Sequence, residues 1–258
     1  MVEVQVLGIA QDGGIPHLGC DCKNCQALSH MVASLLVQDM NTRILVDATP
    51  DVTAQIGHEL PDAVILTHLH IGHYLGLLHF GKEVANTHLL PVYTTENVAK
   101  FIISNKPFSY LVERQNIEVK TLVPNKPENI LGIEIVPFQV PHRNEDGNTI
   151  GMKIRGERSL CYIPDIDNLT SEVIERLTDS NIVLFDGTFY DKSEIGRQQE
   201  VPHPDILSTM KIYGEPENEF YFTHLNHSNP AFDRNSKEYK NIIDHGYRIA
   251  KEHQTIHL

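Results

Sequence analysis

Three histidines, His68, His70 and His73, crowd one short run, Thr67-His-Leu-His-Ile-Gly-His-Tyr-Leu-Gly76. The run follows an apolar stretch, residues 63–66, that reads as a buried strand. Side chains on an extended segment repeat every second residue, so His68 and His70 share one side. Gly72 permits a sharp turn that returns His73 towards them. Neutral imidazole is the commonest metal ligand, and three on one turn form a partial coordination sphere. The competing reading is three solvated loop histidines in a chain that carries 15. Their place directly after a buried strand fits aimed ligands better, because a rigid sheet positions the loops at its strand ends.

Other polar residues stand at comparable places. His142 follows the predicted strand 133–138, Asp165 follows 160–163, Asp186 follows 182–185 and His224 follows 220–222. Converging on one point, they would make a nitrogen and oxygen site for zinc, manganese or iron. Taken singly, each also reads as a turn or cap residue. Asp165 and Asp167 could cap a helix beginning near Leu169, and Asp186 carries the same ambiguity. His203, between Pro202 and Pro204, could act as a general acid or substrate contact, or simply be exposed. Cys20, Cys22 and Cys25 offer three thiolates, a soft set that selects zinc. A fourth ligand could come from His17 or His30 nearby, or from His227; without one, these are three reduced free thiols. Cys161, within a predicted strand, has no evident task.

Elements must carry these groups. Strands are predicted at 2–8, 31–37, 42–46, 63–66, 91–93, 117–122, 133–138, 149–154, 160–163, 182–185 and 220–222, with short strands within 247–258. Helices are predicted at 51–60, 95–104, 169–178, 205–213 and 236–244, and a weakly helical run at 74–80. Residues 9–17 form a glycine-bearing loop, 105–113 a flap or contact surface, and 186–204 a long polar loop. This order suits two sheets packed face to face with helices outside. The chain has 258 residues, 41% hydrophobic and 21% charged, and no low-complexity linker, so one domain spanning 1–258 is expected. No apolar run approaches the roughly 18–20 residues that span a membrane. The opening residues alternate like a strand and lack a basic start before an apolar block, so a cytoplasmic protein is expected. The net charge of −13 repels nucleic acid and anionic membranes. The expected partner is a small-molecule substrate, with a homodimer left open.

The run 67–76, followed by His142, Asp165 and His224 in that order, resembles the metallo-β-lactamase superfamily over nearly the whole chain. Within it, the glycine loop, the cysteine cluster, Phe185-Asp-Gly-Thr-Phe189, Asn226-His-Ser-Asn-Pro230 and Gly246-Tyr-Arg-Ile-Ala-Lys-Glu252 resemble the branch holding pyrroloquinoline quinone biosynthesis protein B. The neighbouring branch of phosphoribosyl cyclic phosphodiesterases shares the cysteine cluster. The resemblance implies an αββα sandwich of two mixed sheets, with a metal site at one edge between them. It implies that His68, His70 and His142 hold one ion, that His73 and His224 belong to a second, and that Asp165 bridges the two. It also implies a structural zinc on Cys20, Cys22, Cys25 and His227. The superfamily motif places an aspartate where this chain has Gly72, so the second site lacks its unshared carboxylate. Asp12, in the glycine loop, is the expected compensation.

The leading expectation is a metal-dependent hydrolase of a small phosphodiester, cyclic phosphate or similar ester. One or two divalent ions (Zn, Mn or Fe) would bring a bound water to a pKa of about 7, and the resulting hydroxide, oriented by Asp165, would attack. The alternative implied by the quinone-cofactor branch is an iron-dependent oxygenase. A third reading is a zinc-stabilised scaffold of weak or no activity.

Overall fold

A computed structural model describes residues 1–143, 148–194 and 202–258. Two sheets of seven strands face one another among the described residues. The first holds β1 (Glu3–Gly8), β2 (Ser34–Gln38), β3 (Arg43–Val46), β4 (Ala63–Ile65), β5 (Leu90–Thr94) and β6 (Ile117–Thr121) in that spatial order, with β14 (Thr255–His257) outside β1. The second runs from β7 (Glu128–Ile130) through β8 (Ile133–Gln139), β9 (Ile150–Arg155), β10 (Ser159–Ile163), β11 (Ile182–Asp186) and β12 (Glu219–Thr223) to β13 (Arg248–Ile249).

Period-two alternation builds the layers. Val4 and Val6 of β1, Ile65 of β4, and Ile182 and Leu184 of β11 enter the core between the sheets. Leu7, Val64 and Leu66 point outward, against α2 (Val52–Ile56), α4 (Glu96–Ser104) and α5 (Phe108–Glu113). Val183 and Phe185 point outward on the other side, against α6 (Ser171–Thr178), α7 (Ile206–Tyr213) and α8 (Lys237–Asp244). Strands covered on both faces read as continuous apolar runs, which is why residues 63–66 are uninterrupted. The result is the expected αββα sandwich. No helix among the described residues is long and apolar enough to cross a membrane.

Strand direction decides where the chemistry gathers. β3 and β4 are parallel, and β10, β11 and β12 are parallel. β1 runs with β3, because each is antiparallel to β2. β8 runs with β10, because each is antiparallel to β9. The segments after β1, β3, β4, β8, β10, β11 and β12 all leave from carboxyl ends, and the two donor sets, from Asp12 to His224, are drawn from these segments. A cavity of about 850 Å³, lined by Arg158, Glu219 and Arg248 among others, opens at the opposite edge, at the amino ends of β10, β12 and β13.

Several predicted elements differ. Residues 105–113 contain α5, and Phe108 and Leu111 sit in the core beneath it, so this stretch packs as a helix. A short helix α1 (Lys23–Ala27) follows Cys22, and β7 has no counterpart in the prediction. Residues 71–80 form a short helix α3 (Ile71–Tyr74) and a 3-10 turn. Of the predicted polar loop 186–204, Asp186 belongs to β11, and residues 195–201 lie outside the described set.

Candidate metal centre

Gly76 fixes the position of the histidine run. Its amide donates to the Ala48 carbonyl at 2.8 Å, and a Cβ there would overlap the Thr49 carbonyl, so the 3-10 turn directly after α3 is pressed against the loop after β3. That loop carries Asp47, fully buried and held at φ 65°. His224 sits at φ 57°. Non-glycine residues in this region cost energy and cluster where surrounding structure over-determines them.

Two donor sets share Asp165. His68, His70, His142 and Asp165 form one; Asp12, His73, Asp165 and His224 form the other. In the first, His142 Nε2 lies 3.3 Å from His70 Nδ1 and 3.6 Å from Asp165 Oδ1, and His68 Nε2 lies 3.4 Å from Asp165 Oδ2. In the second, His73 Nε2 is 3.1 Å from both Asp12 Oδ1 and Asp165 Oδ2. His224 Nε2 is 3.2 Å from Asp165 Oδ2 and 3.7 Å from Asp12 Oδ1. Ligands ~2.1 Å from a tetrahedral ion stand ~3.4 Å apart, so both sets have the right span. Asp12 Oδ1, His68 Nε2, His73 Nε2, Asp165 Oδ2 and His224 Nε2 are buried and make no hydrogen bond. Buried polar atoms are rarely left unpaired, and five aimed at one another are explained by a cation among them.

The outer partners fix which nitrogen faces the centre. Asp47 Oδ2 lies 2.8 Å from His73 Nδ1, and Asp167 Oδ1 lies 2.8 Å from His142 Nδ1, so each ring donates outward and leaves Nε2 bare. Thr67 Oγ1 donates to Asp47 and can only accept from His68 Nδ1, at 2.9 Å. Thr188 Oγ1 likewise donates to Asp186 Oδ1 at 2.7 Å and accepts from His224 Nδ1 at 3.1 Å. Asp47 and Asp186 each orient two rings, one directly and one through a threonine. Burial opposes ionisation of Asp165, but His224, His68 and His73 outweigh it and hold the carboxyl well below its usual range.

His203 and Asp186 form an adjoining pair. Asp186 Oδ2 is 2.6 Å from His203 Nδ1, and His203 Nε2 points to Asp165 Oδ1 at 3.8 Å. Burial disfavours charge on this ring, yet Asp186 overrides it and raises the imidazole to about 9. Thr170 caps α6, so the alternative reading of Asp165 or Asp167 as its cap is set aside, while Asp186 accepts from the Thr188 and Ile166 amides as well as facing His203.

Cys20, Cys22, Cys25 and His227 form a second centre, their donor atoms all within 4.8 Å of one another. His227 Nδ1 is 3.5 Å from both Cys20 Sγ and Cys22 Sγ. His17 instead stacks on the His227 ring, and His30 faces Glu252 and Phe232. Three thiolates and an imidazole fit tetrahedral zinc. Cys161 lies buried in the sheet as expected.

The sequence reading missed Asp47, Thr67 and Thr188 and gave Asp167 only a capping role. Asp47 was discoverable, because it follows an apolar strand as Asp165 and Asp186 do. The threonines carry no signal outside the folded structure.

A family model described as the beta-lactamase superfamily domain matches residues 42–225. Coenzyme PQQ synthesis protein B of Pseudomonas savastanoi pv. phaseolicola (strain 1448A / Race 6) is 24% identical over 311 aligned positions, covering 99% of each chain. Zinc-bound PqqB from Methylobacterium extorquens superposes with a TM-score of 0.88 at 22% identity, over 99% of this chain and 100% of that one. A diphosphatase from the PhnP family superposes at 0.77 with 23% identity, over 99% and 96%. With the sandwich, the shared edge and the matched family in agreement, the chain belongs to the metallo-β-lactamase superfamily.

Proposed function

We propose that the protein is a two-metal hydrolase of a small phosphodiester or cyclic phosphate. The observation that carries this reading is the pair of donor sets meeting at Asp165, with the His203–Asp186 pair directly beside them. His68, His70, His142 and Asp165 would hold one ion, and Asp12, His73, Asp165 and His224 the other, while Cys20, Cys22, Cys25 and His227 would hold a structural zinc. Divalent ions there would supply Lewis acidity, lowering the pKa of bound water to about 7 and stabilising charge on the phosphoryl oxygens.

The residues supply the rest. Asp165, ionised and shared by both sets, would orient the attacking water by accepting a hydrogen bond from it. His203 carries its proton on Nε2, beside the same carboxylate, and donates it to the departing alkoxide. Asp186 keeps that ring charged and correctly turned until transfer.

The test uses protein loaded with Zn or Mn, assayed on cyclic phosphates and on p-nitrophenyl phosphodiesters. His203→Ala should lower turnover of the unactivated substrates by about 10²–10⁴-fold. It should barely slow the p-nitrophenyl ester, whose leaving group needs no proton, and should leave bound metal unchanged. Equal losses on both substrates would remove the general-acid role.

A second reading is favoured by the full-length similarity to coenzyme PQQ synthesis protein B: oxygen chemistry at a single iron. Oxygen uptake by iron-loaded protein, with no phosphodiester turnover from any metal form, would put this reading in place of the first.

A further inference from the structure

Gly72 stands where the superfamily resemblance implies an aspartate. A Cβ built on it would lie 2.5 Å from Asp12 Oδ1, 2.6 Å from Asp12 Cα and 3.0 Å from Asp12 Cβ. The space beside Gly72 is therefore filled by Asp12, backbone included. The same Asp12 oxygen is buried, unpaired and 3.1 Å from His73 Nε2.

The approach of Asp12 is enforced from both flanks. Ala10 donates to the Met31 carbonyl at 2.9 Å and accepts from Ala33 at 2.8 Å, while Gln11 donates to the Leu225 carbonyl at 2.9 Å. Beyond Asp12, Gly14 turns back to the Gln11 carbonyl at 2.7 Å and stands at φ 63°. Ile15 then exchanges two backbone hydrogen bonds of 2.9 Å with His30. These bonds pin residues 10–11 and 14–15 on either side of Asp12 and so limit how far it can move from Gly72.

We propose that the second site takes its carboxylate from the N-terminal loop, and that Asp12 and a side chain at position 72 are mutually exclusive. Glycine at 72 is then a requirement of the site and not a defect in it. The proposal rests on the two-ion reading above, but its test reads metal and not turnover.

The experiment counts and titrates divalent ions at the histidines by calorimetry and anomalous scattering, in the wild-type protein, Asp12→Ala, Gly72→Ala and the double variant. Retained cysteine-site zinc and an unchanged melting profile serve as fold controls. Asp12→Ala should weaken the second ion by more than the about 10–100-fold that loss of an outer partner costs, with the first ion unaffected. Gly72→Ala adds one methyl to a helix that otherwise favours alanine, yet should weaken the same ion comparably by displacing Asp12. The double variant should be no worse than either single one, because both remove one interaction. Unchanged second-ion affinity in Asp12→Ala overturns the proposal, and that variant decides alone should Gly72→Ala not fold. Additive losses in the double variant overturn the exclusion. A wild-type protein with one histidine-bound ion sinks the two-ion reading and this proposal together.

Discussion

The two donor sets share a carboxylate but differ in how they are built. The first takes His68 and His70 from one turn, His142 from the end of β8, and Asp165 from the end of β10. The second takes His73 from that turn but needs Asp12, from a loop tied to residues 30–33 and 225, and His224, held at positive φ. The first set belongs to the sheet ends; the second is assembled from segments that must meet. The outer partners divide differently. Asp47 serves a ring in each set, Asp167 serves only the first, and the Thr188 hydroxyl serves only the second.

Substitutions can pull this comparison apart. Asp165→Ala removes the one group common to both, so both ions should be lost and any turnover should fall by at least about 10³-fold; metal analysis beside the assay checks this. Asp47→Asn keeps an oxygen for Thr67 but disturbs the tautomer of His73 and the hydroxyl that orients His68. Affinity for both ions should drop by about 10–100-fold, read by competition with a chelator of known strength. Asp167→Asn and Thr188→Val form the sharpest pair. The former should weaken only the first ion, by about 10-fold, and the latter only the second, by less, because it loses a neutral hydrogen bond. Calorimetry resolving two binding events would expose any crossover, and a crossover would mean the sets are not separable.

The sequence reading reached the strands that deliver ligands because local pattern alone determines them. Residues 63–66 and 182–185 are apolar throughout, and the histidine run follows a strand end directly. It failed where a contact is not local. Glu128–Ile130 has two polar residues in three and becomes a strand only by pairing with β8. The helix Phe108–Glu113 is too short to declare a period, and its burial of Phe108 and Leu111 comes from packing on α4 and the sheet. Asp12 was reached through the gap in the motif, while the reason glycine must stand at 72 lies in a backbone approach between residues 60 positions apart. Thr67 and Thr188 matter only because each has a carboxylate on one side and an imidazole on the other.

The strand that leads into Asp12 is flanked on its open side by β14, formed by residues 255–257. During synthesis the His68–His73 turn can form from neighbouring chain, but this edge cannot close before those later residues emerge. The second donor set waits on later chain as well: His224 is one of its members and the Leu225 carbonyl holds Gln11, so a half-made chain can present the imidazoles of the turn yet lacks the contact that steadies the last carboxylate.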